Sequence, residues 1–178
     1  MLNDAQLIFD SNASLVVAAP GQPSSLTIDL MGGGVGTAPV NYFGVQDAVA
    51  GEDIGIGDGA SPPVLNIIIG TTFITATAAT LRVQLQASVD SGAPGYTPLA
   101  WKTLIQTDDL PASVLTAGTK IAECTWPPRY PGQAMPRYLR LNYLLSVAGS
   151  SFTAGTIAIA NINTGRDDDT KAIYPSGF

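Results

Sequence analysis

The 178-residue sequence contains no histidine and a single cysteine, Cys124. Without histidine it lacks the commonest general acid or base at neutral pH and the commonest metal ligand. One cysteine permits neither an intramolecular disulfide nor a cysteine-based zinc site. Near the end of an expected strand, Cys124 reads as a small buried apolar side chain rather than a reactive thiol. Charge is scarce as well: 12% of residues are charged, against roughly 25% in ordinary soluble domains. The net charge is −6, which works against the phosphate electrostatics of nucleic-acid binding, so no nucleic-acid partner is expected. No apolar run approaches the ~20 residues of a spanning helix, and no basic stretch followed by an apolar core opens the chain. Neither membrane insertion nor export by such a leader is expected.

Hydrophobic residues nevertheless make up 46% of the chain, too many for the whole to be disordered. The length suits one domain with a substantial core. A surface poor in charge is better suited to life inside an assembly than to a free monomer, and a homo-oligomer is expected.

Two stretches organise the chain. From Tyr138 to Val147, Leu139, Leu141, Tyr143, Leu145 and Val147 alternate with Tyr138, Arg140, Asn142, Leu144 and Ser146. Between Leu81 and Val89, Leu81, Val83, Leu85, Ala87 and Val89 alternate with Arg82, Gln84, Gln86 and Ser88. Period-two alternation marks strands with one face on a core and the other turned outward. Strands of this kind belong to antiparallel sheets, because buried parallel strands read as continuous apolar runs. Further strands are expected at Ser25–Leu30, Val64–Ile69 (covered on both sides for part of its length), Leu99–Thr107, Thr119–Trp126 and Thr156–Ile162. In Leu99–Thr107, the face of Leu99, Trp101, Thr103 and Ile105 reads as core. Thr71–Thr80 reads as a connection, and Asp108–Leu115 as one helical turn capped by an aspartate. Little helix and regularly spaced turn signals point to an all-β, antiparallel, two-sheet sandwich or jelly roll.

Several stretches invite a chemical reading that their spacing does not support. Met31–Gly36 is glycine-rich, but it lacks the Lys-Ser/Thr of a phosphate loop and no helix pattern follows. Gly51–Gly59 carries Glu52, Asp53 and Asp58, yet without the alternate acidic positions and terminal glutamate of a calcium loop. It reads as a tight turn with solvated acids. Asp108-Asp109 and Asp167-Asp168-Asp169 supply neighbouring carboxylates, but adjacent strand residues point to opposite faces and loop charges are usually solvated. No enzyme, catalytic residue, cofactor or metal site is expected.

Several segments taken together resemble the Bbp16-like family of tailed-phage capsid cement, or decoration, proteins. They are Asp53-Ile54-Gly55 before a strand, Ala79–Gln86, Arg137–Tyr143, Phe152–Ile157 and the ending Tyr174-Pro175-Ser176-Gly177-Phe178. The resemblance runs from the N-terminal arm to the C-terminus, and it rests on the order and spacing of strand and turn patterns rather than on catalytic signatures. The loop from Met31 to Val49 and the prolines from Pro127 to Pro131 look longer than the family's usual pattern. The resemblance implies a jelly-roll body on the outer capsid surface of a virion, made in the host cytoplasm. It also implies binding to the major capsid protein across capsomer joints and association as a symmetric oligomer, dimer or trimer. The expected organisation is an extended N-terminal arm (1–24), a jelly-roll sandwich (25–165) and a C-terminal tail (166–178). Arg82, Arg137, Tyr138 and Arg140, with Tyr174 and Phe178 of the tail, are the candidate interface residues, since arginine and tyrosine are favoured anchors.

The competing reading is a lectin-like sandwich that stacks carbohydrate on Trp101, Trp126 or Tyr130, with calcium at the Asp53–Asp58 turn.

Overall fold

The computed structural model describes residues 8–15, 21–29, 64–92, 97–125, 136–145 and 151–163. The glycine-rich stretches Met31–Gly36 and Gly51–Gly59, Trp126, Tyr130 and the tail with Tyr174 and Phe178 lie outside the described residues. The strands are β1 (Ile8–Ser14), β2 (Gln22–Pro23), β3 (Ile28–Asp29), β4 (Val64–Thr75), β5 (Thr80–Ser88), β6 (Lys102–Gln106), β7 (Leu110–Pro111), β8 (Lys120–Thr125), β9 (Tyr138–Leu145) and β10 (Phe152–Asn163). They form two antiparallel sheets. One has the order β1-β10-β4-β8. The other has the order β2-β9-β5-β6, with β3 also on β9 and β7 also on β5.

The two alternating stretches are neighbours at the centre of the second sheet. Leu81 pairs with Leu145, Val83 with Tyr143, Leu85 with Leu141 and Ala87 with Leu139. All eight of these side chains are buried, and with Leu65, Ile67, Ile69, Phe73, Phe152 and Ile157 of the first sheet they belong to one core. The opposite faces of β5 and β9 pair Arg82 with Leu144, Gln84 with Asn142, Gln86 with Arg140 and Ser88 with Tyr138.

Some local expectations are revised. Ile8–Ser14, within the extended arm expected to carry one or two short strands, is a strand of 7 residues on β10, and Phe9 and Leu15 are fully buried. β4 runs on to Thr75 through the Thr-rich stretch expected as a connection, because β10 pairs along it as far as Phe152 opposite Thr75. A register shift between Leu85 and Gln86 opposite β6 leaves Ile105 beside Leu85 and Thr103 beside Gln86. One extra residue in a strand exchanges its faces, so Thr103 and Leu99 are exposed rather than in the core. The helical turn is a single 3-10 turn, Ala112–Val114, preceded by Pro111 and without a side-chain cap. Cys124 lies in β8 opposite Leu65, its side chain outside the described residues.

Candidate functional site

The outward face of the β2-β9-β5-β6 sheet gathers four of the expected contact residues, and each is held differently. Arg82 donates from Nε to Asp109 Oδ1 at 2.9 Å, with both side chains more than a third exposed. Arg137 is buried. Its Nε donates to Asp29 Oδ1 and its Nη2 to Asp29 Oδ2, both at 3.0 Å, and Nη1 donates to Asp90 Oδ2 at 2.6 Å. Its guanidinium also lies 5.0 Å from the centre of the Tyr138 ring. Bidentate pairing is the strongest arrangement open to arginine and carboxylate. Hydrogen bonding to Asp29, against the opposing effect of burial, raises the Arg137 pKa further. At Asp90 burial acts upward, but the Gly92 N–H and Arg137 together hold the carboxyl below its ordinary value. Burial pushes the Tyr138 phenol up. Arg137 and Tyr138 thus tie β3, the end of β5 and the start of β9 together.

Arg140 is placed otherwise. Its Nε donates to Gln86 Oε1 at 2.9 Å, and its guanidinium carbon stands 4.2 Å from the centre of the Trp101 ring. Gln86 in turn donates to Gln84 Oε1 at 3.0 Å, and Gln84 donates to Gln106 Oε1 at 3.0 Å. Asn142 Nδ2 reaches Gln84 Oε1 at 3.4 Å. A row of planar amides thus leads across three strands to a stacked arginine. Trp101, read from sequence as core, is half-buried under Arg140 on this outer face. The one sequence signal for this was the polar Lys102-Thr103 that follows it. Partial burial lowers the Arg140 pKa.

No group of three or more His, Cys, Asp or Glu among the described residues is placed to hold a metal. The neighbouring carboxylates Asp108 and Asp109 diverge: Asp109 joins Arg82, whereas Asp108 lines a cavity of about 530 Å³ between the sheets. Leu65, Ile67, Val83 and Leu85 form the floor of that cavity, and Ile105, Leu110 and Ile121 line its rim. No described helix is long and apolar enough to cross a membrane.

The model of one family, Bbp16, matches residues 36–161. The chain belongs to the Bbp16 family. The matched span is shorter than the resemblance read from sequence: it begins after β3 and ends within β10, so β1, β2, β3 and the C-terminal tail fall outside it. It does include Arg82, Trp101, Arg137, Tyr138 and Arg140, and hence most of the outward face of this Bbp16-family chain. No curated protein matches the chain.

Proposed function

We propose that this chain is a non-enzymatic structural protein of a tailed-phage virion, which binds the outside of the capsid, bridges neighbouring major capsid subunits and stabilises the shell. The observation that carries the reading is membership of the Bbp16 family over residues 36–161, the family whose cement proteins the sequence resembles. The body is read as a jelly roll. In support, β2 with β3 and β6 with β7 act as interrupted rows, and every connection between successive rows except β5 to β6 passes from one sheet to the other. The described side chains support a binding rather than a catalytic role: Asp29, Asp90 and Asp109 are each committed to an arginine.

The mechanism is multivalent bridging. A homo-oligomer, dimer or trimer, that contacts several capsid subunits converts weak contacts into durable attachment through effective concentration. Internal pressure then has to break several contacts together. Arg82 and Arg140 are the arginines of the outward face that retain exposure for such contacts, and the tail with Tyr174 and Phe178 is assigned to a neighbouring subunit.

The test is rebinding of the purified protein to capsids stripped of it, followed by heating. Saturable binding with restored heat resistance is the expected result. Absence of binding by a folded protein overturns the reading.

A further inference from the structure

Arg140 differs from the other two arginines described in its sheet: no acid among the described residues lies against it. Arg82 is neutralised by Asp109, and Arg137 by Asp29 and Asp90. Of the other carboxylates described near this sheet, Asp10 lies on the core side with Tyr143 and Ser25, and Asp108 lines the cavity between the sheets. Among the described residues no carboxylate contacts Arg140. Only its Nε is used, in the bond to Gln86, so the two terminal amino groups still have their donors to give. Trp101 under the guanidinium and Gln86 beside it fix the plane of the fork, which removes much of the entropy that a long side chain loses on binding. A cation that is oriented and partly desolvated but not neutralised is arranged to receive a charge from outside.

We propose that Arg140, seated on Trp101, is the anchor through which the outward face of this sheet takes a carboxylate of the major capsid subunit. The inference rests on the capsid-binding reading. A planar fork with its terminal donors open matches a carboxylate in bidentate geometry. The site lies on a sheet face flanked by the amide row of Gln86, Gln84 and Gln106, whereas small molecules are usually held in concave pockets. The partner is therefore a protein surface, its acid meeting Arg140 and its polar groups meeting the amides. A second copy of this chain is the poorer match. Symmetric pairing of this face would set Arg140 against the same face of the copy, whose Asp29, Asp90 and Asp109 are already engaged.

The experiment compares wild type, Arg140→Gln and Arg140→Lys for binding to stripped capsids across a salt series, with the oligomeric state of each measured in solution. We expect Arg140→Gln to bind roughly 30-fold more weakly, the loss of an interface hot spot, and to lose part of the salt dependence. Arg140→Lys keeps the charge but loses the fork and the stacking, and is expected to bind about tenfold more weakly. It keeps the test decisive if Arg140→Gln fails to fold. Failure of wild type to bind overturns the capsid reading itself. Equal binding by wild type and the folded variants overturns the role of Arg140 while leaving that reading intact. A change of oligomeric state in the variants, with weaker capsid binding only as its consequence, transfers the carboxylate to a second copy and overturns the assignment to the capsid subunit.

Discussion

The Tyr143 hydroxyl donates to Asp10 Oδ2 at 2.6 Å inside the sandwich, joining β9 of one sheet to β1 of the other across 133 residues of sequence. Asp10 is 1% exposed, and its other oxygen accepts from the Ser25 backbone N–H at 2.8 Å and from the Ser25 hydroxyl at 2.6 Å. A buried carboxylate is tolerable only when its lone pairs are filled. These bonds, with the Leu26 N–H on the Phe9 carbonyl at 3.0 Å, fix β1 to the body.

Tyr143→Phe keeps the ring in the core and leaves Asp10 short of one donor. We expect a loss of about 1–3 kcal/mol, the cost of a buried polar group deprived of its partner, read from urea unfolding. Burial first, and then the charge of Asp10, hold the Tyr143 phenol well above its ordinary value. The folded state therefore keeps a proton that the unfolded state releases. This contribution is complete below the unfolded value of about 10 and is lost as pH rises through the folded one. Stability measured by unfolding through that alkaline range should fall more steeply in wild type than in Tyr143→Phe.

Arg137→Met removes the cation shared by Asp29 and Asp90. The expected loss is about 2–3 kcal/mol. It lies below that of a fully enclosed pair, because the two carboxylates keep 16% and 21% of their side-chain surface. Asp90 is held below its ordinary value in the folded state. Its contribution is thus present above the unfolded value of about 3.9 and fades as pH falls towards the folded one. An acid-unfolding series should find Arg137→Met less sensitive to pH than wild type in that range.

Asp109→Ala breaks the exposed pair with Arg82. Solvent screening limits the expected change to about 0.5 kcal/mol or less, shrinking further in high salt. Thermal unfolding at two salt concentrations is the check.

Gly155→Ala should be far more damaging than Gly92→Ala. Gly155 has a φ of 148°, and a methyl group there would run into the Phe73 ring, which packs edge-on against Phe152 with ring centres 4.9 Å apart. Overpacking added to backbone strain predicts a loss of about 3 kcal/mol or more. At Gly92 a methyl group meets nothing and only the φ of 82° opposes it, costing about 1 kcal/mol. The difference between the two melting temperatures is the measurement.

The faces of β5 and β9 were legible in sequence because a pleated strand sends alternate residues to opposite sides. The assignment of Leu81, Val83 and Leu85, or Leu139, Leu141 and Tyr143, to the core needed nothing further. The pattern in β10 was less legible. Ile157, Ile159 and Asn161 alternate with Ala158, Ala160 and Ile162 in sequence, yet Ile157, Ala160 and Ile162 are the residues that join the core. Register shifts against β4, among them one between Ile157 and Ile159, exchange the faces part-way along. A bulge answers to the partner strand and leaves little local signature.

The sequence by itself determined an all-β chain and which sides of β5 and β9 are apolar, because these follow from composition and a period of two residues. It also set a chemistry without histidine and with a net charge of −6. Only the tertiary structure decided that Asp10 is the acid beneath Tyr143, that Arg137 is enclosed by Asp29 and Asp90, and that Arg140 rests on Trp101. Those fates depend on which strands lie side by side. Pairing between residues dozens of positions apart is fixed by how the whole core closes, not by the residues next to them in sequence.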